Sequence, residues 1–165
     1  LVQQVNGEFA ERFESRNLDL ICILQPEPLL ICADSRRIWR VLENLYVNVC
    51  KYAMPGTRVY VDAIKKDGKI QFSIKNISEN PLNFQADELT ERFIRGDVSR
   101  STEGSGLGLS IAKNLTVLQH GSFNIYLDGD LFKVTITFDE AVKEKKPMPL
   151  MIVPEAVQEE AQQDA

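Results

Sequence analysis

Four polar side chains within one short stretch are spaced to act together. In Glu43-Asn44-Leu45-Tyr46-Val47-Asn48-Val49-Cys50-Lys51-Tyr52, the residues Asn44, Asn48, Lys51 and Tyr52 stand at i, i+4, i+7 and i+8, positions that share one face of an α-helix. Neutral amides on successive turns suit a site that holds a hydrated magnesium ion and phosphate oxygens, with Lys51 placing a point charge on phosphate. The same pattern alone is equally that of a solvated amphipathic face. A second cluster favours the chemical reading. Gly104-Ser105-Gly106-Leu107-Gly108-Leu109 runs directly into an apolar-periodic segment. Glycines let a backbone approach phosphate closely, and the free N–H groups of a helix start attract anions. A glycine-rich turn is by itself a weak signal, but Arg92, Arg95 and Arg100 lie just upstream and supply the local positive charge that a triphosphate requires.

These clusters need elements to hold them. Asp34 and Ser35 are good N-caps for a helix whose apolar face is Ile38, Val41, Leu42, Leu45 and Val49 and which stops before Met54-Pro55-Gly56. SGLGLSIAKNLTVLQH predicts a second helix. Val2, Val5, Phe9 and Phe13 predict an amphipathic helix over residues 1–17, interrupted by Gly7. LDLICIL (18–24) and LLICA (29–33) read as short buried strands separated by the two prolines of QPEP. Asp67-Gly68 and Asp128-Gly129-Asp130 sit between alternating apolar runs and predict two hairpins, so the sheet is at least partly antiparallel. Residues 77–105 are polar with one short helical island, 86–95, which is too long a stretch for an idle connection. After Phe138 the chain turns to Pro, Gln, Glu and Lys, with only residues 150–153 apolar, and a largely disordered tail is expected.

Composition narrows the function. A chain of 165 residues, 44% hydrophobic, supports one domain with a real core. The formal charge of −5 gives no footprint for nucleic acid or an anionic membrane surface. Cys22, Cys32 and Cys50 stand singly, without CxxC or histidine at zinc-ligand spacing; they read as buried small hydrophobes in a reducing compartment. No apolar run approaches the roughly 20 residues that span a bilayer. Trp39 reads as packing or interdomain contact. His120, the single histidine, reads as a helix-end residue before Gly121, not as a phosphate acceptor.

Three motifs in order carry a family resemblance. ENLYVNVCKYA resembles the N box of bacterial two-component sensor histidine kinases, ERFIRGDVSRS their F-box region, and GSGLGLSIAKNL their G2 box. The match runs from about Leu18 to Phe138 and includes HGSFNIYLDGD. It implies the ATP-binding catalytic domain of such a kinase, in the superfamily shared with DNA gyrase and a heat-shock chaperone. The implied fold class is an α/β, two-layer Bergerat sandwich with a left-handed crossover, in which a mixed, mostly antiparallel sheet packs on helices and a long ATP lid covers the nucleotide, here residues 77–105. By the same resemblance Asn48 coordinates Mg2+, Asn44 and Lys51 contact phosphates, and Tyr52 lies along the adenine of ATP. Gly104, Gly106, Leu107, Gly108 and Leu109 form the phosphate cradle, and Arg92, Phe93 and Arg95 line the nucleotide from the lid.

The resemblance also implies what lies outside the domain. The phosphate acceptor is a histidine on a separate dimerisation domain, of which residues 1–17 look like the end of the last helix. The ATP-binding part is then 18–140 and the tail 141–165. A response regulator is the downstream partner, no nucleic acid is involved, and the setting is a cytoplasmic domain of a membrane-anchored bacterial sensor that meets the membrane only through other parts of the parent protein. Superfamily members that hydrolyse ATP resemble one another in placing a glutamate four residues before the metal-binding asparagine. Here that position is Asn44, and an amide takes no proton from water at neutral pH, so transfer is favoured over hydrolysis.

The sequence departs from the family at the G1 box, Asp-x-Gly-x-Gly, where it has Asn76-Ile77-Ser78-Glu79-Asn80. Asn76 can still accept from an adenine amino group, but a turned-over amide donates to a guanine carbonyl, so weaker selectivity against GTP is expected. Thr90 also replaces the first phenylalanine of the F-box. These departures keep a second class open, a nucleotide- or partner-binding module that has lost phosphotransfer and signals by lid order. A serine kinase on the same fold is a third.

Overall fold

The computed structural model describes residues 1–82 and 107–141. Its first helix, α1 (Val2–Ser15), runs through Gly7 without a break and buries Val5, Phe9 and Phe13. Strand β1 (Asp19–Leu24) leads by a loop to α2 (Ser35–Tyr52), after which β2 (Arg58–Lys66) and β3 (Lys69–Ile77) form a hairpin. Asp67 and Gly68 both take positive φ in its two-residue turn, the geometry that matches the twist of the paired strands. Beyond the undescribed stretch come α3 (Gly108–Val117), β4 (Ser122–Asp128) and β5 (Leu131–Asp139), the last two joined by a tight turn in which Gly129 has positive φ.

The five strands form one sheet in the order β1-β2-β3-β5-β4. β1 runs parallel to β2, to which it is joined through α2, and the other pairs are antiparallel. Alternate residues of the central strands, among them Val59, Val61, Phe72, Ile74, Val134 and Ile136, are buried and meet the helices in a single core. The mixed, mostly antiparallel two-layer sandwich expected from the sequence is the fold observed. The helical island at 86–95, the lid arginines and nearly all of the tail lie outside the described residues.

Tyr46 fills the centre of the helical layer. It is wholly buried, stacks on Phe13 and meets Phe9 edge-on, and its hydroxyl donates to the Asn6 side chain. A buried phenol needs such a partner, so α1 and α2 are fixed in register by one polar contact inside an aromatic cluster. Burial also raises the Tyr46 hydroxyl above its usual titration range.

Two expectations fail together. LLICA is not a strand: only Ile31 makes an isolated bridge, to Glu140, and Leu30 remains 38% exposed. The run pairs with the sheet only at that bridge, just past the end of β5, so a stretch of apolar residues forms part of a loop instead. Cys32 is consequently exposed, while Cys22 and Cys50 are half-buried, against the expectation that all three are core residues. Trp39 packs against the core in part, as expected.

The end of α3 shows how a His-Gly pair stops a helix. His120 takes a left-handed φ of 64°, its N–H bonds to Val117 O, and Gly121 N–H reaches back to Thr116 O, the two bonds of a Schellman cap. Gly121 is needed for space: a Cβ there would lie 2.6 Å from the Phe138 ring and 2.8 Å from the Thr116 methyl.

Candidate functional site

Helix α2 carries the site because its two faces are chemically distinct. Ile38, Val41, Leu42, Leu45, Tyr46 and Val49 are buried, which leaves Asn44, Asn48 and Tyr52 half-buried on the adjoining face and Lys51 exposed. The helix starts at a true N-cap. The Asp34 carboxylate accepts from Arg36 N at 2.9 Å and Arg37 N at 3.1 Å, and these backbone bonds, with the Arg37 one foremost, hold its pKa below the ordinary 3.8.

The start of α3 lies against the polar face of α2. A Cβ built on Gly108 would stand 3.2 Å from Asn44 Oδ1, so the glycine permits the close approach. Asn44 is oriented by its own helix, donating from Nδ2 to Arg40 O at 2.7 Å. Among the described residues no side chain caps α3, and the N–H groups of a first helical turn have no intrahelical acceptor. Neutral amide oxygen and free N–H donors are thus presented side by side, a surface that accepts an anion and its counter-cation without a carboxylate. Leu109 is buried beneath this turn and Leu107 is exposed at its edge.

At the other end of the polar face, α2 is sewn to the end of β3. Met54 N–H bonds to Ile77 O, Glu79 N–H to Tyr52 O, and Ser78 N–H to Asp130 O. Asn76 sits within this corner, 3% exposed, on the same sheet face as Phe72 and Ile74. Its Nδ2 donates to Ile77 O at 3.1 Å, while Oδ1 is buried with no partner. A buried acceptor left unpaired is costly, and an incoming amino donor relieves that cost. Lys51 Nζ lies 5.9 Å from the Tyr52 ring centroid, so the cation and the aromatic face occupy one rim.

One contributor carried no sequence signal. Arg16, just beyond α1, donates from Nη2 to Ala53 O at 3.2 Å and to Glu79 Oε2 at 3.0 Å, clamping the α2 end to the segment after β3. A lone arginine at a helix end is indistinguishable by pattern from any solvated charge. Burial pushes the Cys50 thiol up to about 11 despite the opposing pull of Arg12 and Arg16, which disfavours the thiolate form that a nucleophile needs. Among the described residues no cluster of His, Cys, Asp or Glu could hold a metal.

The structure therefore brings together Asn44, Asn48, Lys51 and Tyr52 with Gly108 and Leu109, and places Asn76 at the adjoining corner. Arg92, Phe93, Arg95, Gly104 and Gly106 lie outside the described residues. The donor set fits a nucleotide on three counts: an orphaned acceptor for an amino group, an aromatic rim, and a helix start at Gly108 that closely approaches the Asn44 amide.

Comparison with known proteins gives the context. Residues 33–142 match the family of histidine kinase-, DNA gyrase B- and HSP90-like ATPases. The signal transduction histidine-protein kinase BaeS of Escherichia coli (strain K12) is 31% identical over 123 residues, covering 73% of this chain and 26% of that protein. The adaptive-response sensory kinase SasA of Synechococcus elongatus is 30% identical over 122 residues, 73% of this chain and 32% of that protein. The chain thus spans roughly a quarter to a third of these relatives. The nucleotide-free catalytic domain of the histidine kinase ThkA superposes with a TM-score of 0.72 at 23% identity, covering 84% of this chain and 90% of that one, a likeness of fold. No described helix is long and apolar enough to cross a membrane.

Proposed function

This chain belongs to the histidine kinase-, DNA gyrase B- and HSP90-like ATPase family, and from that premise we propose that it is the catalytic ATP-binding domain of a sensor histidine kinase. It binds Mg-ATP and donates the γ-phosphoryl group to a histidine on a separate dimerisation domain, to which residues 1–17 lead. A response regulator then receives the phosphate. The parent protein is anchored in a bacterial membrane with this domain in the cytoplasm.

The observation that carries the reading is the approach of Gly108 to the Asn44 amide, which sets the start of α3 beside the polar face of α2. In that frame Asn48 offers its amide oxygen to Mg2+, and Asn44 and Lys51 steady the phosphate oxygens. Tyr52 lies along the adenine. Asn76 accepts from the adenine amino group through its unpaired Oδ1. Bound magnesium supplies charge neutralisation at the transferring group. The protein itself does little covalent chemistry: it positions donor and acceptor in line and offers no carboxylate at Asn44 to activate water.

The orientation of Asn76 sharpens the base preference. Its Nδ2 is committed to Ile77 O, so turning the amide over to serve a guanine carbonyl sacrifices that bond. GTP is therefore expected to compete with ATP far less well than a freely turning amide would allow; equal competition at equal concentration refutes this orientation.

A second reading rests on the same corner. Ser78, which stands where the resembled box has its first glycine, is tied by its N–H to Asp130 O, which suits a nucleotide-binding module without phosphotransfer. Titration calorimetry with a non-hydrolysable ATP analogue, with and without magnesium, tests for the site. Adding the parent's acceptor domain and radiolabelled ATP then tests for transfer. Magnesium-dependent binding with acid-labile label on the acceptor supports the kinase, binding without label supports the module, and no binding refutes both.

A further inference from the structure

Three stretches of chain meet at the corner that holds Asn76. The turn between α2 and β2 is joined on one side to the junction of α1 with β1, where Gly56 N–H bonds to Asn17 O and Asp19 N–H to Thr57 O. On its other side lies the end of β3, where Met54 N–H bonds to Ile77 O and Glu79 N–H to Tyr52 O. Arg16 spans both seams, since its Nη2 donates to Ala53 O at 3.2 Å and to Glu79 Oε2 at 3.0 Å. Among the described residues no other side chain ties all three stretches together.

The carbonyl of Ile77 links this clamp to the site. It accepts from Met54 N–H and from Asn76 Nδ2, which uses both lone pairs of a carbonyl oxygen. The bond from Asn76 fixes which way round the amide lies and leaves Oδ1 as the unpaired acceptor. The bond from Met54 depends on where the Ala53–Met54 backbone sits, and Arg16 holds that backbone through Ala53 O. The clamp is poorly suited to stability alone. Its ion pair lies near the surface, with the two side chains 35% and 46% exposed, where such pairs add little. Arg16 Nε is buried without a partner, which is a cost. What the planar guanidinium does supply is geometry, a fixed spacing between the Ala53 carbonyl and the Glu79 carboxylate.

Resting on the nucleotide reading above, we propose that Arg16 is a positioning residue that sets base selectivity at one remove. By holding Ala53 against Glu79 it keeps Ile77 O in place to fix the Asn76 amide, so that the corner accepts from an adenine amino group and does not serve a guanine carbonyl. The phosphate end lies beyond the reach of the clamp: Asn48 and Asn44 stand one and two turns before Tyr52, about 6 and 12 Å back along α2.

Calorimetric titration of the full chain with non-hydrolysable ATP and GTP analogues, with and without magnesium, tests the assignment. Arg16→Ala is expected to lower ATP-analogue affinity and the preference for ATP over GTP together, each by roughly tenfold. The factor by which magnesium strengthens binding should stay that of the wild type. A general loosening of the fold weakens both nucleotides alike, so affinity lost with the preference intact overturns the proposal, as does a changed magnesium factor or no loss at all. Glu79→Ala, at an exposed position, should reduce the preference by a smaller factor, because the bond from Arg16 to Ala53 O survives. It carries the test if Arg16→Ala does not fold, and an unchanged preference in it overturns the clamp. The double variant should match Arg16→Ala alone; losses that add show two residues acting separately and count against the proposal. A wild-type chain that binds neither analogue refutes the nucleotide reading itself, an outcome distinct from every failure of Arg16.

Discussion

The two halves of α2 are held in place by different means. At its start a single carboxylate does the work: Asp34 caps the helix through Arg36 N and Arg37 N, while its own N–H donates to Gln119 Oε1 at 2.8 Å. Beneath this half, Ile38, Val41 and Leu42 line a mainly apolar cavity together with Ile70 and Ile136 of the sheet. The other half ends without a glycine, at Ala53 in an extended conformation, and is fixed by main-chain bonds to residues 77 and 79 and by the Arg16 clamp. Main-chain bonds do not depend on side-chain identity, so the end that carries the chemistry can change its amides without losing its position. The capped end cannot change its carboxylate so freely.

If the comparison holds, variants at the two ends separate binding from stability. The largest effect is expected from Asn48→Ala, which should weaken magnesium-dependent nucleotide binding by about 100-fold, the scale of losing a group that orients or holds a metal. Its melting temperature without nucleotide should match the wild type. A large drop in that melting temperature would place Asn48 in the structural rather than the chemical half. Gly108→Ala comes next. The added methyl presses on Asn44 Oδ1, and affinity should fall by roughly tenfold, about 1.4 kcal/mol, as read by the same calorimetry. Unaltered affinity would mean that the α2–α3 contact does not set the phosphate end of the site.

The smallest effect belongs to Asp34→Ala, which should lower the melting temperature and leave nucleotide affinity unchanged. Its pH dependence has a definite sign. The folded-state pKa of Asp34 is depressed, so the cap contributes fully above the ordinary value of 3.8 and loses its contribution as pH falls through the depressed value. The melting gap between wild type and Asp34→Ala should therefore narrow as the solution is acidified from 3.8 through that depressed value. A gap that widens on acidification would show that the cap does not act through its ionised form.

Much of this molecule follows from local rules. The apolar spacing of α2 and its Asp34 cap, the Asp67-Gly68 turn and the alternation of β2, β3 and β5 are short-range signals, and each element formed where those signals place it. The polar set on α2 was legible for the same reason, since residues four apart on a helix are neighbours whatever the tertiary fold. Asn76 was visible only as a departure from a resembled motif. Its unpaired oxygen and the backbone bonds around it arise between chain segments far apart in sequence.

The misreadings come from the same divide. LLICA has strand composition, but a strand needs a partner edge, and the sheet offers that loop only one bridge. Arg16 has no pattern at all until Ala53 and Glu79 are brought to it. Sequence alone determined which segments are helices and hairpins and which face of α2 is polar, because capping, turn chemistry and periodicity act over a few residues. Only the tertiary structure decided that Gly108 abuts Asn44, that Arg16 clamps the corner and that a cavity lies under the capped end, because those contacts depend on how the helical layer settles on the sheet.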